Sequence, residues 1–302
     1  MARAYKLLVG LTEIDSLSSY YSRHMPGFTG REGCEGCQRD VELMDRLSHY
    51  HGFVGITPEP LVNATATLRG VLARLEAAAS VMEAGDIFLF YLSSHGRSLV
   101  RAPVGERKIS LTRDINAFLL YDHPVLNEQL VEALARFPAG CRIVTILDCC
   151  HAGLGAGLVA PIEDLLQERI LSQDVHQRAA SPGLTGFSTE QIQQKAVVLL
   201  KHAVEGMQAS LVHFGAAKSE GTAAGGPDGS LFTRRWNSLM WAGGDSLTYR
   251  GFLEALSDRL PPLRQPAFEW VADGGSGDST VPLPCDHFAG RETVFKVEPA
   301  VL

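Results

Sequence analysis

Two segments of this chain carry residues that could make and break covalent bonds. One is Tyr91-Leu92-Ser93-Ser94-His95-Gly96. The other is Ile146-Leu147-Asp148-Cys149-Cys150-His151-Ala152-Gly153. A thiol is mostly protonated near neutral pH, so a cysteine nucleophile needs an imidazole that lowers its pKa and later protonates a leaving amine. The two groups must meet in the fold and need not be neighbours in sequence. His95 and a cysteine of the second segment would together support acyl transfer. Gly96 leaves room for a substrate against the backbone, and its N–H can point at a developing oxyanion. A His-Gly pair after a strand is by itself ordinary structural material. The second segment gives it meaning.

Both segments follow apolar runs that read as strands buried on two faces, residues 86–93 (DIFLFYLS) and 142–147 (RIVTIL). Further strands are expected at 6–11, 117–121, 210–216 and 293–297. Residues 12–36, rich in Ser, Gly and Pro, read as loop. Apolar spacing predicts a helix from Asp40 through Val41, Met44 and Leu47, and a second from about Asn63–Thr67 to Gly85. Helices are also expected from Asn127, acting as cap, and at 191–207, 231–241 and 247–260. Strands alternating with helices predict an α/β fold. Its mostly parallel central sheet would have about six strands, with helices on both faces, a three-layer sandwich. Sites in such sheets collect beyond the carboxyl ends of the strands, where His95 and Cys150 stand.

Composition narrows the field. The chain has 302 residues, 45% hydrophobic and 20% charged, with a formal net charge of −7. An acidic balance argues against nucleic acid as a partner. No apolar run reaches the ~18 residues of a membrane helix. The opening MARAYKLLVGL reads as a first strand rather than a secretion signal, so a cytoplasmic protein with no membrane partner is expected. In a reducing compartment Cys34, Cys37, Cys141, Cys149, Cys150 and Cys285 would be thiols, metal ligands or a nucleophile. Cys34-x-x-Cys37 with Cys149-Cys150-His151 is a rival zinc set, although the second half lacks the usual spacing. Asn63-Ala64-Thr65, a glycosylation triplet, is read as helix-capping chemistry. The basic residues between Arg97 and Arg113 are read as a solvated loop.

The second segment resembles the Asp-(Ser/Cys)-Cys-His-Ser-Gly pattern of metacaspases and bacterial orthocaspases, with Ala152 for the usual serine. Ser-Ser-His95-Gly resembles their Ser-Gly-His-Gly. His95 precedes Cys150 by 55 positions (150 − 95), close to the roughly 50 of caspases. Gly36-Cys37-Gln38-Arg39-Asp40 is similar to the family's Gly-Cys-x-Asn-Asp. Weaker likenesses include Gly215-Ala-Ala-Lys-Ser-Glu220, Leu231-Phe232-Thr233 and Gln265-Pro266. The resemblance spans nearly the whole chain. It implies a caspase-like cysteine endopeptidase over residues 1–302, with a large-subunit-like part (about 1–168), a linker (169–190) and a small-subunit-like part (191–302).

By position, the resemblance implies Cys150 as nucleophile, His95 as base, and the N–H groups of Gly96 and Cys150 as the oxyanion hole. Cys149 would be a structural neighbour, and His151 is turned away from Cys150. The specificity pocket would comprise Cys37, Asp40, Ser93 and Asp148. Its two carboxylates would hold Arg, and less well Lys, through charge-assisted bonds. Helix capping or loop hydrogen bonding is the alternative role for Asp40 and Asp148. The aspartates of calcium-activated members are missing. Asp114, Asp122 and Glu128 remain, open to capping or salt bridges, so no metal and no cofactor are expected. Arg169 and Arg178 lie in a stretch of about forty residues, long against the ~4–6 of compact-domain connections, and are candidate processing sites for the enzyme itself or an upstream protease. The implied partners are protein substrates with Arg or Lys at the cut. By family analogy the setting is bacterial defence or regulated cell death. An Asp-specific protease and a catalytically silent module of the same fold are the alternatives.

Overall fold

Where the apolar runs are long enough to be covered on both faces, the chain forms strands, and the amphipathic segments between them pack above and below. The computed structural model describes residues 2–31, 33–98, 116–149, 206–217, 225–272, 275–278 and 286–297. In chain order these form β1 (Ala4–Gly10), α1 (Ser19–His24), α2 (Cys37–Tyr50), β2 (Val54–Gly55), β3 (Leu61–Val62), α3 (Leu68–Val81), β4 (Ile87–Ser94) and β5 (Gly96–Ser98). There follow β6 (Asn116–Leu119), β7 (Pro124–Leu126), α4 (Asn127–Leu134), β8 (Arg142–Cys149), β9 (Ser210–Gly215), α5 (Leu231–Trp241), α6 (Tyr249–Ser257), β10 (Ala267–Ala272), β11 (Gly275–Asp278) and α7 (Phe288–Arg291).

Eight strands form the main sheet in the order β11-β10-β9-β8-β4-β1-β2, with β3 also on β1. The pairs among β1, β2, β3, β4, β8 and β9 are parallel, and β10 and β11 close the edge antiparallel. Strand alternation divides the core. Ile87, Leu89 and Tyr91 of β4 face Met44 and Leu47 of α2, Trp236 of α5 and Phe252 of α6. Phe88, Phe90 and Leu92 face Val71 and Leu75 of α3 and Leu130 and Leu134 of α4. A small antiparallel sheet, β5-β6-β7, stands beyond the carboxyl end of β4. The result is the expected mostly parallel α/β sandwich, with more strands than the six anticipated. Among the described residues, no helix is long and apolar enough to cross a membrane.

Several local expectations are corrected. The 12–36 segment contains α1, capped by the Ser18 hydroxyl, which accepts from Tyr21 N–H. The second helix ends at Val81 rather than Gly85, which lies in the following turn with a φ of +92°. Asn127 begins α4 without capping it. Leu126 is the cap residue, and its N–H donates to the Gln129 side chain. The helix expected at 247–260 is only α6, started by Thr248. The strand expected at 293–297 is a turn in which Phe295 adopts a φ of +64°, with one bridge from Thr293 to Thr248. β10 and β11 carry the edge instead. Most of the helix expected at 191–207 lies outside the described residues.

Candidate active site

β4 and β8 run side by side in parallel, pairing Ser93 with Asp148 and Ser94 with Cys149. Both strands are buried along their full length, so this register is held by core packing on two faces. His95 is the next residue after β4. Its Nε2 is 3.0 Å from the Gly30 carbonyl, and its ring meets Phe28 edge-on at 5.3 Å. A carbonyl only accepts, so Nε2 carries the proton and, in the neutral ring, Nδ1 keeps its lone pair for a proton from elsewhere.

Gly30 is held where it is by contacts of the segment around it, α1 included. Thr29 C=O accepts from Ile14 N–H, Tyr121 C=O accepts from Asp15 N–H, and the Tyr21 hydroxyl of α1 donates to Leu120 C=O at 2.6 Å. Gly30 has a φ of +78°, and a Cβ there would sit 3.1 Å from Ile14, so the position suits glycine.

Gly96 opens β5 opposite Phe118. The neighbouring bond, Leu119 N–H to His95 C=O at 2.9 Å, makes Gly96–Phe118 a pair of the non-hydrogen-bonded kind. The Gly96 N–H is therefore not spent on β6. Cys149 points into the core shared with α3 and α4, its Sγ 3.7 Å from the Leu92 carbonyl. Cys150 and His151 lie outside the described residues, as do Arg169, Arg178, Asp114 and Cys285.

Asp40 and Asp148 lie on the opposite side of the sheet from Cys149, and each is at most 3% exposed. Asp40 Oδ2 accepts from the Ser93 hydroxyl at 2.9 Å, and Oδ1 accepts from Ser230 N–H at 2.7 Å. Asp148 Oδ2 accepts from Thr233 Oγ1 at 2.6 Å, from the Ser230 hydroxyl, and from Tyr91 OH at 3.4 Å. Asp148 Oδ1 is buried without a hydrogen-bond partner among the described residues. Burial, and then the charge of Asp148, push Asp40 up to about 8. Burial also raises Asp148, while its hydroxyl donors oppose that rise. Cys37, the first residue of α2, is also buried one turn before Asp40.

Three of the four expected pocket residues thus converge through hydrogen bonds, and Ser230, Thr233 and Tyr91 join them unforeseen. Ser230 is the N-cap of α5 and Thr233 the residue it caps, a Ser-x-x-Thr start visible in sequence but ordinary in appearance. The loop before α5 lies hard against the loop before α2. A Cβ on Gly36 would fall on the Gly226 carbonyl, one on Gly225 on the Gly33 carbonyl, and one on Gly229 would be 2.5 Å from Asp40 Oδ1. This close backbone approach lets Ser230 N–H reach Asp40.

Among the described residues no three His, Cys, Asp or Glu side chains are grouped to hold a metal. Cys34 and Cys37 are buried and share no disulfide, and Asp122 accepts from Leu68 N–H at the start of α3.

The family model for the caspase domain matches residues 23–276. Among solved structures, a Geobacter sulfurreducens protein from a structural-genomics programme superposes with a TM-score of 0.64 at 21% identity, covering 98% of this chain and 99% of its own. Caspase-1 from Spodoptera frugiperda superposes with a TM-score of 0.51 at 11% identity, covering 88% of this chain and 86% of its own. No curated protein matches.

Proposed function

The chain belongs to the caspase-domain family, and from that premise we propose that it is a cysteine endopeptidase that cuts proteins after Arg, and less well after Lys, with Cys150 and His95 as its dyad. The observation that carries the reading is the β4–β8 register. Ser94 is paired with Cys149, so His95 and Cys150 are each one peptide unit beyond a paired position. Gly30 C=O holds the His95 Nε2–H, leaving Nδ1 as the acceptor for the thiol proton. The thiolate attacks the scissile carbonyl carbon, and the Gly96 and Cys150 N–H groups receive the oxyanion. On collapse, the imidazolium gives its proton to the departing amine. Water then hydrolyses the thioester, with His95 again taking a proton.

Basic specificity rests on Asp40 and Asp148, with Ser93 and Cys37 beside them. Two buried acids that make no direct ion pair among the described residues, with only the more distant charge of Arg234 acting on Asp40, suit a substrate that brings a cation into contact. The reading treats residues 1–302 as one peptidase domain, activated by cleavage in the linker 169–190 after Arg169 or Arg178. An effector role in defence or cell death follows from analogy alone.

The test is a panel of fluorogenic peptides bearing Arg, Lys or Asp before the scissile bond. Wild type should prefer Arg over Lys and leave Asp uncut. Cys150→Ala and His95→Ala should each lose cleavage, by about a thousandfold or more if the dyad acts as a unit. Cys149→Ala should keep substantial activity. Preference for Asp, or an active Cys150→Ala, would overturn the reading.

A further inference from the structure

Among the described residues, Ser230 is the one hydrogen-bonded to both buried carboxylates. Its N–H donates to Asp40 Oδ1 and its hydroxyl to Asp148 Oδ2, and the same hydroxyl accepts from Thr233 N–H at 2.9 Å. Thr233, one turn further along α5, donates its own hydroxyl to the same oxygen of Asp148. All the hydroxyl donors therefore crowd onto Oδ2. The other oxygen, Oδ1, is buried and left without a partner among the described residues. A buried carboxylate oxygen without a donor is costly unless something fills the vacancy in the working state.

We propose that Ser230 and Thr233 are positioning residues for substrate specificity, fixing Asp148 through Oδ2 so that Oδ1 receives a guanidinium N–H of the substrate side chain. The inference rests on the reading of the protein as a peptidase for basic residues, and it gives a role to two residues outside the expected pocket. Its physical content is directional. An aspartate free to rotate offers a point charge that Lys and Arg satisfy alike. One pinned through a single oxygen presents a fixed lone-pair direction, which rewards the planar fork of Arg over the compact ammonium of Lys. The Ser230 N–H, bonded to Asp40, keeps the second acid from swinging into the same space. Tyr91, 2.7 Å from the Thr233 hydroxyl and 3.4 Å from Asp148 Oδ2, closes the network from β4. The donors come from α5, and the acids come from β8 and α2, so discrimination between the two cations is set by contacts across the glycine-lined junction.

The experiment compares Ser230→Ala, Ser230→Thr and Thr233→Val with wild type on matched Arg and Lys peptides, with agmatine as a small guanidinium competitor. Ser230→Ala and Thr233→Val should raise KM for the Arg peptide and the inhibition constant of agmatine by about tenfold each, the size of a lost hydrogen bond to a charged group, with kcat little changed. The Arg-over-Lys ratio should fall toward parity, and Ser230→Thr, which keeps the hydroxyl, should restore it. Ser230→Ala also removes a helix cap. Thr248→Ala removes the comparable cap of α6, where Thr248 Oγ1 accepts from Gly251 N–H, and should leave the ratio untouched. If wild type prefers Arg but the Ser230 and Thr233 variants keep its KM and ratio, this inference falls alone. If wild type shows no preference for basic peptides, the underlying reading falls and takes this one with it.

Discussion

β4 has a buried aspartate beside each of its ends, and the two ends treat it in opposite ways. Before the strand begins, Asp86 accepts from the backbone N–H groups of Arg3 and Glu83 and from the Arg3 guanidinium. Burial works to raise its pKa, but these donors and the cation outweigh burial and bring it below the ordinary carboxylate value. Beyond the strand, Asp40 and Asp148 receive only neutral hydrogen-bond donors among the described residues, and burial pushes both upward despite the charge of Arg234 acting on Asp40. The same side chain is thus paired directly with a cation where it serves the fold and left without one in contact at the end where the proposed dyad lies. An acid whose burial goes uncompensated inside the chain marks where a ligand's charge belongs.

That contrast can be broken most forcefully by neutralising each acid in turn. Asp148→Asn should lower kcat/KM for Arg peptides by about a hundredfold or more, as expected for removing one side of a buried charge contact. Its melting temperature at pH 8 should hold or rise, because a carboxylate with an upward-shifted pKa is then no longer buried. Asp86→Ala should do the reverse. The loss of a buried acceptor from two backbone N–H groups and a guanidinium should cost about 2–3 kcal/mol of stability in denaturant titrations, with kcat/KM on the surviving folded protein unchanged. A drop in stability for Asp148→Asn as large as that for Asp86→Ala would erase the distinction between the two ends.

A smaller effect should appear with pH. The pKa of Asp40 rises from the ordinary 3.8 to about 8 on folding. The native state therefore binds more protons than the unfolded chain between those values, and stability should decline as pH rises through that window. KM for Arg peptides should fall several-fold between pH 6.5 and 9 as Asp40 gains the charge that a cationic substrate favours. Asp40→Asn should flatten both curves, and a wild-type KM independent of pH would contradict the assignment. The smallest effect should come from Arg3→Ala. The lowered pKa of Asp86 contributes stability that is present above the ordinary value and lost as pH falls through the folded one. Removing Arg3 should therefore move the acid limb of the stability curve to higher pH, as read by circular dichroism.

What could be read from the sequence was what periodicity and punctuation record. The buried β4 and β8, and α5 at residues 231–241, stand where the pattern put them because their burial is continuous. β10 and β11 were overlooked, since β10 is only six residues (AFEWVA) with Glu269 outward and β11 is Gly-Ser-Gly-Asp; pairing with β9 makes them strands, not propensity. α1 was hidden because it is only six residues (SYYSRH), with no apolar periodicity to mark it. At the candidate site, Asp40, Ser93 and Asp148 were legible by resemblance. The Gly30 carbonyl was not, since a backbone acceptor has no letter in the sequence, nor were Ser230 and Thr233, whose meaning depends on a contact 82 to 190 positions away.

The junction where Gly36, Gly225 and Gly229 leave no room for a Cβ has a consequence for how this protein can change. Two surfaces that fit through side chains can drift together, one growing as the other shrinks. Surfaces that fit by having none cannot, because the first added methyl group is already a wedge and no neighbour can recede to admit it. The spacing of the proposed pocket is therefore frozen while its lining remains editable. A laboratory search for new cleavage preferences should leave the codons of Gly36, Gly225 and Gly229 alone and randomise the hydroxyls and acids around them.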